Sequence, residues 1–581
     1  MGLRVLRWAR SPLWVIFVLA LLVRAVYLIQ LMNSPLRDWD QWDQSDMQTF
    51  LKVAGQIING DFLVREPYIP YHEWHERIAP AEQWRRWHPS HAFLHVPGYY
   101  YFVALLLKLF GNSLLAIKTV QAILGAVHAT LLAAVGRKLM GMAGGLSVGI
   151  LAALYGPFIV MESLILRESL ALLMATLGVF LVIRALETAP AGPRTHEWQT
   201  WAAVGVVLGL GAAVKETGII LFVAILSWVT LIAFLRRMPH IDRSAGLFIV
   251  LGFLVAWSPM TIRNLAVGAP PLVISPPAVS NFIIANAADS PSQGILFESP
   301  PSFKTIMENA GGRLLPAIAG TIGTYADHPQ EMWLRLWSKF RAIWSNVELA
   351  DDFSYEYFSM QVPILRILPR FVCIWLPALL GFAILLIAWR QTPASARKVF
   401  GLLLTILFLH VFAQVFAPVM SRYRVVIVPY LILLAGWPLA QAATWWRDRR
   451  RVAAACTLAG LLATCLAWYL WPAQSIVSRG AIRPVDFSFA ARSAFDQKDP
   501  SAARRIYDSG LAYYRSHGDT GNEILLRADR IQYFTMQGKV DEVRDDWDVV
   551  LRFLPENHPL LLHLRQQVIA RQGFVRPKLQ R

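Results

Sequence analysis

Apolar runs of about twenty residues recur from residue 12 to residue 471, and they leave a chain few ways to fold. Each run is near the ~20 residues that a helix needs to cross the hydrocarbon of a bilayer. A helix satisfies its own backbone hydrogen bonds, which is what a spanning segment requires. Spans are read at 12–32, 114–135, 143–161, 168–186, 199–214, 217–235, 244–262, 367–389, 399–417, 425–443 and 452–471. The run 98–110 is too short to cross and reads as a helix lying in the interface. Composition agrees: 56% of residues are apolar and 16% are charged, where soluble domains carry about a quarter charged. Residues 475–581 have no spanning run and are rich in Arg and Asp, so a boundary falls at Trp471–Gln474. The expected architecture is all-α and polytopic, with about eleven spans in a 1–474 module and a soluble helical tail, 475–581.

The formal net charge of +17 would suggest nucleic acid in a soluble protein, but here Lys and Arg sit mostly between apolar runs, so no nucleic-acid partner is expected. Placing Arg4, Arg7 and Arg10 in the cytoplasm puts the other basic loops on the same side. These are Arg137–Lys138, Arg184 with Arg194, Arg236–Arg237 with Arg243, Arg390 with Arg397–Lys398, and Arg447 with Arg449–Arg451. Every inside loop is then basic, and counting 98–110 as a span would break the pattern. Met1–Arg10 and the run behind it resemble a signal peptide, but the run to Met32 is long enough to span and no small-residue cleavage site follows. The expected location is an inner (cytoplasmic) membrane, with the N-terminus cytoplasmic and the tail periplasmic. Cys373, Cys456 and Cys465 lie inside apolar runs, which argues against a disulfide framework.

This topology leaves two long outer segments, 33–113 and 264–366, so chemistry is expected on that face. The first opens Arg37-Asp-Trp-Asp-Gln-Trp-Asp-Gln-Ser-Asp46. If a helix starts here, Asp46, Phe50 and Ala54 share one face, and Gly60-Asp61 ends it. A carboxylate at a helix head on the membrane surface suits a general base; a solvated acidic turn and N-cap is the plainer reading. His88, His91 and His95 lie within eight residues but match no strong zinc spacing, and no metal or other cofactor is expected. Glu162, Arg167 and Glu168 fall near a span end. The topology also puts four cations at or near the outer surface: Lys215, Arg263, Arg422 and Arg424. Such residues can simply snorkel to water, but a lipid phosphate would need a cluster like this.

Several blocks then occur in order: Asp46-x3-Phe50-x3-Ala54-x5-Gly60-Asp61; His95-Val-Pro-Gly-Tyr-Tyr-Tyr before Leu109-Phe-Gly111; and Gly125 to Gly136-Arg-Lys138. Arg263-Asn264 with Ser280-Asn281 and Asn286 follows, then Tyr325-x3-Pro329, Lys339 and Trp344-x3-Glu348, and then Arg422-Tyr-Arg424 with Pro429. Over roughly residues 12–444 the chain resembles the GT-C superfamily of polyprenyl-phosphate-sugar-dependent glycosyltransferases. The bacterial branch similar to dolichyl-phosphate-mannose–protein mannosyltransferases is the specific likeness. The resemblance implies a sugar donor on a polyprenyl phosphate and a protein, lipid or glycan acceptor. It implies Asp46 as base, with Asp43 the runner-up because Asp38, Asp40 and Asp43 crowd the segment and Phe50 stands where Tyr is common. Lys215, Arg263, Arg422 and Arg424 would hold the donor phosphate, with Glu162, Arg167, Glu168, His95 and Tyr99 in support, and attack opposite the leaving group would invert the anomeric centre.

In the tail, Ala490–Phe495 with Ala502–Tyr514, and Leu525–Met536 with Val540–Phe553, read as helical hairpins. Their breaks at Lys498-Asp-Pro500 and Gly538, and the stop at Pro555, resemble tetratricopeptide repeats, which would either bind a partner protein or pack on the outer loops. Three other functions fit a multi-span chain: a polysaccharide polymerase or ligase, a transporter or flippase of lipid-linked sugar, and a scaffold. The scarcity of mid-span carboxylates disfavours transport, and the early position of the Asp46 block disfavours a polymerase.

Overall fold

The computed structural model describes residues 12–187, 197–235, 244–273, 275–387, 389–390, 394–469 and 475–572. Arg4, Arg7, Arg10, Arg194, Arg236, Arg237 and Arg243, on which the sidedness argument partly stands, and the boundary at Trp471–Gln474, lie outside the described residues. Every regular element among the described residues is a helix.

Six of these helices are long and apolar enough to cross a membrane, against eleven expected spans. They include α1 (Leu13–Met32). After the short helices α2 (Asp46–Ile58) and α3 (Gly98–Phe110) comes α4 (Leu114–Leu154). Although continuous in assignment, α4 folds back on itself at Gly141, whose φ is +73°. A Cβ on Gly149 would lie 2.8 Å from the Ala133 Cβ, and one on Gly136 2.9 Å from the Val148 Cβ. Residues sixteen apart on a straight helix would be about 24 Å apart, so α4 is a hairpin of two arms pressed together at glycines. Its first arm covers the expected span 114–135, while its second ends at Leu154 and a separate short helix, Gly156–Glu162, holds the rest of the expected span 143–161.

The other long helices are α5 (Glu168–Glu187), α8 (Ala245–Val267), α11 (Ala394–Val415) and α12 (Val428–Arg447). Shorter apolar helices stand in the remaining expected spans: α6 (Glu197–Val214), α7 (Gly218–Phe234), α10 (Val372–Ile387) and α13 (Arg451–Tyr469). The hairpin α4 packs on α1, α5 and α12, and α12 also packs on α10 and α13. With α12 enclosed, Leu431–Ala435 are all buried. The pair α6 and α8 packs most extensively, through small residues. A Cβ on Gly205 would lie 2.1 Å from the Ile249 carbonyl oxygen, and one on Gly252 2.2 Å from that of Ala202. In a bilayer, where lipid is as apolar as Leu, such close backbone approach is what holds helices together.

The segments 33–113 and 264–366 gather at one end of this bundle, the loop face. From the second comes α9 (Pro329–Ile343). The tail forms α14 (Pro484–Asp496), α15 (Pro500–Ser516), α16 (Thr520–Met536), α17 (Arg544–Phe553) and α18 (Pro559–Gln572). The expected breaks are present as left-handed turns at Lys498 (φ +65°) and Gly538 (φ +75°), with another at Gly518 (φ +64°). The tail packs on the loop face: Phe489 meets Trp39 at 4.8 Å, and Phe487 meets Tyr357 at 4.8 Å.

Candidate active site on the loop face

Asp46 begins α2 because Ser45 caps it, the Ser45 hydroxyl accepting the Gln48 N–H. Phe50, Val53 and Ala54 are buried, which fixes the roll of the helix, and Asp46, on the face it shares with Phe50 and Ala54, is turned toward His95 and Arg422. The positive end of a helix dipole stabilises a carboxylate at this position. Gly98 brings the next element in: a Cβ there would sit 2.6 Å from the Ala213 carbonyl oxygen. The head of α3 is thus seated against the end of α6. His95, just before α3, places its Nε2 3.2 Å from Asp46 Oδ1.

Arg422 is the hub. Its two terminal nitrogens each donate to Asp46 Oδ2 at 3.1 Å, and its Nε donates to Glu168 Oε1 at 3.0 Å. The same guanidinium lies 3.2 Å from Asp351 Oδ2 and donates to Asp352. Asp352 turns its other oxygen to the Asp46 backbone N–H, at 3.1 Å. Lys215 donates to Glu168 Oε1 at 2.8 Å and to the Arg422 carbonyl at 3.2 Å. Beside them Arg167 pairs with Glu216 at 2.5 Å and lies over the Phe50 ring. The side chain of Asp46 stays 28% exposed, and those of Asp351 and Glu216 21% and 26%, while those of Arg422, Lys215 and Glu168 are enclosed, so Asp46 is the most open of the carboxylates bonded to Arg422.

The electrostatics divide the carboxylates. Burial would raise the Asp46 carboxyl, but the charges of His95 and Arg422 outweigh it and hold Asp46 well below the ordinary range. Burial, reinforced by the negative charge of Asp46, pushes Asp352 well above that range. The pair is thus split in direction, with Asp46 favouring the ionised form and Asp352 the protonated one. A carboxyl raised in the folded state contributes stability that is fully present below its unfolded pKa, near 3.9, and is lost as pH rises toward the folded value. Asp352→Asn, a permanent mimic of the protonated form, is expected to raise the thermal midpoint more at pH 8 than at pH 4.5. An equal shift at both pH values would refute this assignment.

Below the cluster lies an apolar cavity between α5, α6, α7 and α12. Leu172, Ala175, Leu208, Leu221, Val425 and Tyr430 line it, and Glu168 and Lys215 close one end.

Of the four expected cations, Lys215 and Arg422 converge near Asp46. Arg263 instead donates to the carbonyls of Leu63, Val64 and His91 and lies over Phe93, tying the first outer segment to the end of α8. Arg424 pairs with Glu348 at 2.5 Å, donates to the carbonyls of Ile343, Ser345 and Val347, and lies over Phe371. None of the four snorkels to water, for all are 5% exposed or less. Glu162 does not reach Asp46 either. It forms a buried pair with Arg24 at 2.6 Å, in space left by Gly125, where a Cβ would come within 2.2 Å of the carboxylate. Tyr99 is buried, with its hydroxyl on Gln121 at 2.5 Å. Asp43 is exposed and Asp40 is buried against Lys118 at 2.5 Å, which leaves Asp46 as the acid the site is built around. Sequence reading missed Asp351 and Asp352, whose one signal is an Asp-Asp doublet in the second outer segment. Among the described residues no group of three or more His, Cys, Asp or Glu side chains is arranged to hold a metal ion.

Residues 89–262, which supply His95, Arg167, Glu168 and Lys215, match the dolichyl-phosphate-mannose-protein mannosyltransferase family. No curated protein matches the chain. Among solved structures, the chain is similar to an Archaeoglobus fulgidus oligosaccharyltransferase tethered by a disulfide to an acceptor peptide containing the NVT sequon. The identity is 11% and the TM-score 0.45, over 87% of this chain and 59% of that one. Oligosaccharyltransferase AglB from Archaeoglobus fulgidus, in complex with an inhibitory peptide and a dolichol-phosphate, is similar at 11% identity and TM-score 0.42, over 85% and 60%. The chain thus spans about three fifths of the length of these archaeal proteins.

Proposed function

We propose that this protein is a membrane glycosyltransferase that moves a sugar from a polyprenyl-phosphate donor to an acceptor hydroxyl on the loop face, with inversion. The observation that carries the reading is the apolar cavity that ends on Glu168 and Lys215, one residue removed from the Arg422–Asp46 pair. The free space in this cavity is about 30 Å³, so an isoprenoid chain would enter by parting the apolar side chains that line it, and its phosphate would then arrive beside Lys215 and Arg422. Arg422 can turn to that phosphate because one of its present partners, Asp352, favours the neutral form and is a weak competitor for a cation.

In the step proposed, Asp46 takes the proton of the acceptor hydroxyl. The acceptor oxygen bonds to the anomeric carbon on the face opposite the phosphate. The bond from that carbon to the phosphate oxygen breaks, and its electron pair leaves on the polyprenyl phosphate. Arg422 and Lys215 stabilise the charge that develops there. His95 holds one oxygen of Asp46 and Arg422 the other, which fixes the carboxylate beside the reacting centre. The loop face is the periplasmic side in this reading, and the acceptor is a protein, lipid or glycan hydroxyl.

The test is reconstitution in liposomes with polyprenyl-phosphate-mannose as probe and a mixture of hydroxyl acceptors. Asp46-dependent release of polyprenyl phosphate, with inverted product, supports the transferase. Movement of intact donor between leaflets without release would instead show a flippase.

A further inference from the structure

We propose that the C-terminal helical domain is a working part of the candidate active site, and that its Arg483 is a positioning residue for Asp351 and Asp352. The segment 345–354 has no regular structure, so its path must be set by what surrounds it. The tail supplies much of that setting. The Ala350 N–H donates to the Gly480 carbonyl at 3.0 Å, and the Ser354 hydroxyl donates to the Ala481 carbonyl at 2.5 Å. Between these two anchors the Arg483 guanidinium donates to the Asp351 carbonyl. Arg483 is itself held from two sides: it lies over the Trp42 ring at 5.2 Å and pairs with the buried Asp486 at 3.0 Å. Trp39 closes the contact, donating its indole N–H to the Asp352 carbonyl at 2.8 Å while packing on Phe489 of the tail.

The two aspartates fixed in this way face the site. Asp352 accepts the Asp46 N–H, and both pair with Arg422. Three consecutive elements are thus in register: Gly480–Arg483 of the tail, the 350–354 backbone, and the Asp46–Arg422 pair. A tail that served only to recruit a partner would have no need to bond the segment carrying the partners of Arg422. The structure makes the tail a clamp, with Arg483 as its charged contact, and a small displacement at a site of this kind can cost about a hundredfold in rate. The positional part of the proposal stands on geometry alone; its kinetic part rests on the reading of Asp46 as the base.

The experiment uses the full chain in detergent: wild type, Arg483→Met, Arg483→Lys, and Arg504→Met as a control that removes a tail ion pair with Glu542. Hydrogen exchange is followed on peptides covering 42–50 and 349–354, and turnover is measured with polyprenyl-phosphate-mannose. Arg483→Met is expected to speed exchange in both peptides about tenfold, with α15 and α16 as protected as in wild type. It is expected to lower kcat about tenfold with little change in KM, and Arg483→Lys, which keeps one donor, to recover part of both. Arg504→Met should match wild type. Wild-type exchange in both peptides for Arg483→Met overturns the proposal. If Arg483→Met loosens the whole tail, Arg483→Lys decides: faster exchange confined to the two peptides supports the clamp, and wild-type exchange there overturns it. Absence of turnover by wild type defeats the transferase reading, while the exchange result still decides the clamp.

Discussion

Asp46→Asn is expected to abolish sugar transfer, by about 10²–10⁴-fold in kcat, the range set by removing a positioned base. The substitution keeps the shape of the side chain and leaves the Asp46 N–H on Asp352. Arg422 also keeps its ion pairs with Glu168 and Asp351, so the fold and the donor site should survive. The check is a turnover assay beside a thermal melt. Lost transfer with an unchanged melt identifies Asp46 as the base. Retained transfer would remove Asp46 from the mechanism and leave the site as a structural charge network.

Arg422→Ala should have the largest effect on the protein itself. Its side chain is 3% exposed and is shared by Asp46, Glu168, Asp351 and Asp352. Removing one partner of a buried charge network strands the others, at a cost of about 3–5 kcal/mol. The loss should appear in the melt as well as in transfer, which separates this variant from Asp46→Asn. Arg422→Lys should recover part of the stability and little of the transfer, since a single ammonium cannot bridge Asp46 and Glu168 as the guanidinium fork does. Equal melts for Arg422→Ala and wild type would contradict the network.

These two residues were legible in the sequence to different degrees. Asp46 was visible because local rules place it: a Ser cap, an acid at the first helical position, and apolar residues at helical spacing behind it. The apolar helices were legible for the same reason, since length and hydropathy suffice to locate them. The α4 turn at Gly141 falls in the loop expected between 135 and 143, which Arg137–Lys138 marked. Arg422 could be named as a cation near the loop face, but the set it would join could not. Asp352 lies 306 residues from Asp46, in an irregular segment with no periodicity to read. That Arg263 and Arg424 lie apart from Asp46 was not legible, because sequence shows charges and hides carbonyls. Both guanidiniums are occupied by main-chain oxygens from distant segments, and that use of arginine leaves no pattern along the chain. Glu162 failed for a related reason: its partner Arg24 sits inside an apolar run, where a buried pair was not foreseen.

The central claim is that a polyprenyl phosphate sits with its chain in the apolar cavity and its phosphate at Lys215 and Arg422. Native mass spectrometry of the protein purified in mild detergent tests it most directly, comparing wild type with Arg422→Gln and Arg424→Gln. The account predicts a bound polyprenyl-phosphate species on wild type and on Arg424→Gln, lost from Arg422→Gln. A folded wild type carrying no such lipid, or a lipid lost from Arg424→Gln and kept by Arg422→Gln, would contradict it.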